Sequence, residues 1–135
     1  MEKIYVDAEG CQRGRLGSYV AKQALLGYEL IVVNCEKAIV SGREPRTITD
    51  FRFKKAINVM NPEKGPFYSR SPEKMMKRTI RGMVPDFRLG RGKVAMSHVK
   101  CYIGIPDEFK KEKFIKIPCK TPFSSITLKK LGKLV

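Results

Sequence analysis

The sequence predicts an α/β domain on a mainly parallel sheet, and three observations carry that prediction. Short apolar runs alternate with segments whose apolar residues recur at helical spacing. The run Leu30-Ile31-Val32-Val33 has no polar alternation, as expected of a strand covered on both faces. At 135 residues the chain fits one domain, spanning 1–135, with no internal repeat or low-complexity tract.

Lys3 to Val6 reads as a first strand, and after the turn-forming stretch from Glu9 to Gly14, Leu16, Tyr19, Val20 and Ala24 recur as a helix. Gly27 ends that helix and the 30–33 strand follows, completing a βαβ unit. Ala38-Ile39-Val40 is a third strand, closed by Ser41-Gly42. Phe53, Ala56, Ile57 and Met60 then form an i, i+3, i+4, i+7 stripe on a second helix, stopped by Asn61-Pro62. Val99 to Ile105 is the last strand, ended by Pro106, and a short C-terminal helix begins near Ser125 or Thr127.

Charge is strongly polarised along this framework. The chain carries 28 Lys and Arg against 13 Asp and Glu, a net charge of +15, which calls for a polyanionic partner. Residues 1–67 account for +3 and residues 68–135 for +12. The longest apolar run has four residues, far short of the roughly 18 to 20 of a membrane span, and no signal-peptide apolar region precedes Asp7. A cytoplasmic protein with no membrane partner is expected. Cys11, Cys35, Cys101 and Cys119 contain no Cys-x-x-Cys pair and read as small buried hydrophobes in a reducing compartment, and His98 is the only histidine. No metal site, cofactor or catalytic arrangement is expected.

The segment Ser71 to Pro85 is the most informative. Ser71 suits a helix cap, Pro72 the first turn and Glu73 the positive end of the dipole. At about 100° per residue, Lys74, Lys77, Arg78 and Arg81 fall within one arc of roughly 100°, and Met76, Ile80 and Met83 fall opposite. A helix docked by its methionine face would offer four cations to one outside surface. Their mutual repulsion, a few tenths of a kcal/mol per pair, is relieved by phosphates. Arg70 before the helix, and Arg88, Arg91 and Lys93 after it among Gly82, Gly90 and Gly92, extend the stripe to eight basic and two acidic residues. Glycines admit close phosphate approach and arginine forks grip two oxygens, which suits a folded RNA better than a small ligand. Phe67 and Tyr68 read equally as base-stacking platforms or as core.

A second candidate is the loop Gly10 to Gly17, with Arg13 and Arg15 at a helix start. It is read as an RNA phosphate contact, a nucleotide site with Glu36 as ribose acid, or a structural turn. The spacing matches neither a dinucleotide fingerprint nor a P-loop.

With these residues in view, the chain resembles the universal large-subunit ribosomal protein family L-thirteen in its archaeal and eukaryotic branch. Gly14-Arg15-Leu16-Gly17-Ser18, Val32-Val33-Asn34 with Ser41-Gly42, and Tyr102 to Pro106 are similar to family phrases. More specific are Asn61-Pro62, Gly65-Pro66-Phe67, Arg70, Pro72 and Arg78-Thr79-Ile80-Arg81-Gly82-Met83-Val84-Pro85. Gly17 stands where the family usually has Ala, Cys101 where an aliphatic is usual, and the link from Asp86 to Arg91 is about one residue longer. The resemblance implies a three-layer α/β/α fold with a four-stranded parallel sheet and a basic helical and loop extension. It implies a structural, non-enzymatic role in subunit assembly and translation, binding large-subunit ribosomal RNA beside neighbouring large-subunit proteins, with no small-molecule substrate. The candidate RNA-binding residues are Arg13, Arg15, Arg43, Arg70, Lys74, Lys77, Arg78, Arg81, Arg88, Arg91 and Lys93, centred on a basic region at about 68–100. Two other classes compete with this reading: a small nucleotide-dependent enzyme, and a basic module acting off the ribosome.

Overall fold

β1, Lys3–Asp7, and β2, Glu29–Val33, run parallel with Lys3 opposite Glu29 and Asp7 opposite Val33. The helix α1, Arg13–Leu25, carries the chain between them and buries Leu16, Val20, Ala21 and Ala24. Its exit needs φ +98° at Gly27, which glycine supplies without steric cost. This computed structural model describes residues 1–57 and 63–135. After β2 come β3, Ile39–Ser41, and the helices α2, Glu44–Ala56, α3, Pro72–Arg81, and α4, Gly90–Ser97. The chain closes with β4, Val99–Cys101, β5, Ile115–Lys116, β6, Ser125–Thr127, and the helix α5, Leu128–Leu134.

Four strands form a sheet in the order β4-β2-β1-β5, and all its neighbours are parallel. Helices flank this sheet, giving the three-layer α/β/α architecture: α1 packs on α3 and on α4, and α5 packs on α3 and on the 3-10 turn Cys35–Lys37. β2 lies between β1 and β4, and Leu30, Ile31, Val32 and Val33 are all buried, as their unbroken apolar run requires.

Several elements depart from the sequence expectation. β3 begins at Ile39 and pairs antiparallel with β6 in a separate two-stranded sheet. Asn34, at φ 55°, and the 3-10 turn turn the chain away after β2, and the place beside β2 is taken by β4. The stripe expected to bury α2 is misphased: Phe53, Ala56 and Ile57 are exposed, while Thr47 is buried and Ile48 and Phe51 are half-buried. Met60 and Asn61-Pro62, expected to continue and stop that helix, lie outside the described residues. α4 was not expected among its glycines. Gly92 is obligatory there, because a Cβ would collide with the carbonyl oxygen of Pro85. The strand expected to be last, β4, stops at Cys101 instead of Ile105 and is followed by β5 and β6; Ser125 belongs to β6, leaving Thr127 to cap α5 by accepting from the Lys130 amide at 3.3 Å.

The C-terminal residues tie the fold together. β5 completes the sheet on β1, the Gln12 side chain donates to the Lys120 carbonyl at 2.9 Å, and Arg52 donates to the Leu134 carbonyl. Gly132 lies so close to the Arg70 carbonyl that no side chain fits between them. All four cysteines are free thiols, Cys11 and Cys35 buried and the other two half-buried. Burial pushes the Cys11 thiol up, and a hydrogen bond with Cys101 together with burial pushes Cys35 up, so neither is a ready nucleophile.

Gly17 marks the close approach of α1 to α3, since a Cβ built there would lie 3.0 Å from Met83 Sδ and 3.3 Å from Thr79 Cγ2. Met83 is partly exposed and its unbranched chain can swing aside, whereas alanine improves helix propensity by up to about 1 kcal/mol. Gly17→Ala is therefore expected to raise stability by about 0.5 kcal/mol in urea unfolding. A lower midpoint would show that Thr79 cannot yield.

Candidate nucleic-acid interface

α3 is laid down as its sequence requires, with Pro72 in its first turn and Ser71 at the cap position, although the Ser71 hydroxyl makes no capping hydrogen bond. Met75, Met76 and Ile80 are buried against the core, while Met83 lies beyond the helix and is exposed. Lys74 and Lys77 stand in solvent.

The two arginines of the same arc are not free in this way. The Arg78 guanidinium carbon sits 3.7 Å from the centroid of the Tyr68 ring, and its Nη1 donates to the Phe67 carbonyl at 2.9 Å. Arg81 lies 4.7 Å from the Phe87 ring centroid, and Arg88 lies 5.4 Å from the same ring. Aromatic faces thus position these cations, an attraction of roughly 0.5 to 2 kcal/mol each that leaves their charge unneutralised.

Between α3, α2 and the start of α1 lies a half-open cavity of about 460 Å³. Arg13, Lys54, Lys74, Lys77, Arg78 and Arg81 line it together with Phe51, Phe67, Tyr68, Met75 and Met96, and no described lining residue is acidic. Arg13 stands 5.5 Å from the Phe51 ring centroid, as does Lys54. Burial holds the Arg13 guanidinium below its usual range, the mark of a cation that has lost water. The ion pairs among the described residues join Lys37 to Glu9, Lys100 to Glu29, Lys110 to Asp107 and Lys130 to Glu44. None of them takes a cation from this cavity.

The structure therefore gathers Arg13, Lys74, Lys77, Arg78 and Arg81 of the expected residues around one hollow, and it adds Lys54. The remaining six lie outside its lining. Arg15 is exposed and lies roughly 200° around α1 from Arg13, so the two do not act together. Arg43 lines a separate hollow at the start of α2 with Arg46 and Asp50. Arg70 is exposed near α5, Arg88 continues the Arg81 and Phe87 cluster, and Arg91 and Lys93 are exposed on α4. Lys54 and Phe51 escaped sequence reasoning because only the folded position of α2 brings them beside Arg13.

The loop from residue 10 to 17 is mostly helix. Gly14 and Gly17 lie inside α1, leaving Gly10, at φ 70°, as the turn glycine. Glu36, weighed as a ribose-binding acid, accepts the Gly104 amide at 3.0 Å and so anchors the chain after β4. The nucleotide reading thereby loses its acid.

The protein-family model described as ribosomal protein L13 matches residues 1–108. A large ribosomal subunit protein uL13 of Methanococcoides burtonii is 40% identical over 112 residues, covering 83% of this chain and 78% of that protein. The protein of the same name from Methanosarcina barkeri is 42% identical over 113 residues, covering 83% and 79%. That of Archaeoglobus fulgidus is 38% identical over 112 residues, covering 83% and 70%.

Proposed function

The chain belongs to the ribosomal protein L13 family, and from that premise we propose that it binds large-subunit ribosomal RNA as a structural constituent of the large subunit. The observation that carries this reading is the group of six cations around one cavity with no acidic residue among its described lining. Such an array repels itself in the free protein and is relieved when phosphates neutralise it. The contacts are those of Arg13, Lys74, Lys77, Arg78 and Arg81, joined by Lys54, with Arg70, Arg88, Arg91 and Lys93 extending the basic face. Arg15 and Arg43 contact RNA at separate points.

Residues 1–135 act in this reading as one domain, since the C-terminal strands complete the sheet and pair with β3. The role is structural, in assembly and translation beside neighbouring large-subunit proteins in the cytoplasm, with no catalytic step, cofactor or small-molecule substrate. No described helix is long and apolar enough to cross a membrane.

Salt dependence tests the proposal. If about six to ten phosphates are engaged, log affinity of the full chain for transcribed large-subunit RNA falls against log salt with a slope on the order of −4 to −9. Filter binding over a salt series measures it. A flat response overturns the reading.

A further inference from the structure

We propose that the cavity between α1, α2 and α3 takes a single unpaired nucleotide of the ribosomal RNA, its base against Phe67 and Phe51 and its phosphate on Arg13 and Arg78. The inference deepens the RNA-binding reading and rests on it. A duplex presents its phosphates along a convex ridge and contacts exposed cations without entering a hollow. This hollow is concave, about 460 Å³, within the roughly 300 to 1,000 Å³ range of sites that enclose a small ligand.

Its lining has two chemistries that one nucleotide satisfies together. Phe67 is 66% exposed, so a large apolar ring faces water in the free protein with room for a base to stack on it. Phe51 and Met96 supply further apolar wall. A neutral base alone would leave the cations uncompensated, and an inorganic anion alone would leave the rings wet. Arg78 is already held by the Tyr68 ring and the Phe67 carbonyl, so little side-chain freedom is lost when it meets a phosphate.

Phe67→Ala tests this with full-length protein on transcribed large-subunit RNA. Phe67 is mostly exposed, so the variant keeps its fold, and Phe67→Tyr provides an aromatic rescue. The alanine change removes no charge, so the salt slope stays at the wild-type value while affinity falls roughly 5- to 150-fold. Base-specific chemical probing shows one nucleotide protected by the wild type and by Phe67→Tyr, and exposed by Phe67→Ala, with backbone protections unchanged. Unchanged affinity and base protections in Phe67→Ala, against a steep wild-type slope, overturn the nucleotide pocket while leaving RNA binding standing. Loss of assembly with subunit proteins but not of naked-RNA binding also overturns it, in favour of a protein ligand for Phe67. Saturation by a free nucleoside monophosphate at micromolar concentration, with RNA footprints unaffected, overturns it in favour of a small-molecule site. A flat wild-type slope is instead the failure of the RNA-binding reading itself.

Discussion

Val32→Asp is expected to abolish cooperative folding. Val32 is fully buried in β2, opposite Val6 on one side and Cys101 on the other, in the interior of the parallel sheet. A carboxylate there has no cation to meet and must stay unpaired or take up a proton. Leaving a buried charge uncompensated costs on the order of 3 to 5 kcal/mol, comparable with the roughly 5 to 15 kcal/mol total stability of a domain. The variant should be insoluble, or soluble without a thermal transition in calorimetry. Val32→Thr keeps the shape and adds only a hydroxyl, which costs about 1 to 3 kcal/mol, so this variant should still melt cooperatively at lower temperature. An Asp variant with the wild-type melting temperature would mean that β2 is not the sheet interior.

β2 was legible because its apolar run leaves no solvent face, and α1 because Leu16, Val20 and Ala24 keep one phase. β5 and β6 were not legible. Ile115 and Lys116 are both exposed, and their place in the sheet comes from backbone pairing with β1, which leaves no hydrophobic alternation behind. β6 depends on β3, some 85 residues earlier in the chain, so local pattern cannot announce it. In α2 the spacing of Phe53, Ala56 and Ile57 was helical but on the wrong side. The inward phase passes through Thr47, Ile48 and Phe51, and Arg52 and Lys55 are drawn to main-chain oxygens of Leu134 and Val135. The candidate site divides the same way. The arc on α3 follows from helical geometry alone, whereas its union with Arg13, Phe51 and Lys54 is a product of tertiary packing. The sequence places all four cations of the arc on one outside surface, and the structure divides them into two exposed lysines and two aromatic-held arginines.

That separation makes the two faces of α3 distinguishable by experiment. Lys74→Gln with Lys77→Gln should leave the melting temperature unchanged or slightly raised, since both side chains are exposed and their repulsion is relieved. RNA affinity should fall by roughly 1.5 to 3 kcal/mol for each charged hydrogen bond lost, and the salt slope should shrink by about 0.7 to 0.9 per contact. Met76→Ser with Ile80→Ser should do the opposite. Both residues are fully buried, so each change leaves a cavity and a hydroxyl beneath the helix, costing about 2 kcal/mol or more per site. Whatever protein remains folded should bind with the wild-type salt slope. Arg78→Gln should move both readouts, because it releases the Tyr68 ring and the Phe67 carbonyl as well as the phosphate contact proposed for it. Thermal melts alongside RNA binding across salt measure all three. If the lysine pair lowers stability as much as the Met76 and Ile80 pair while RNA affinity holds, the cationic arc is a structural surface and α3 does not face RNA.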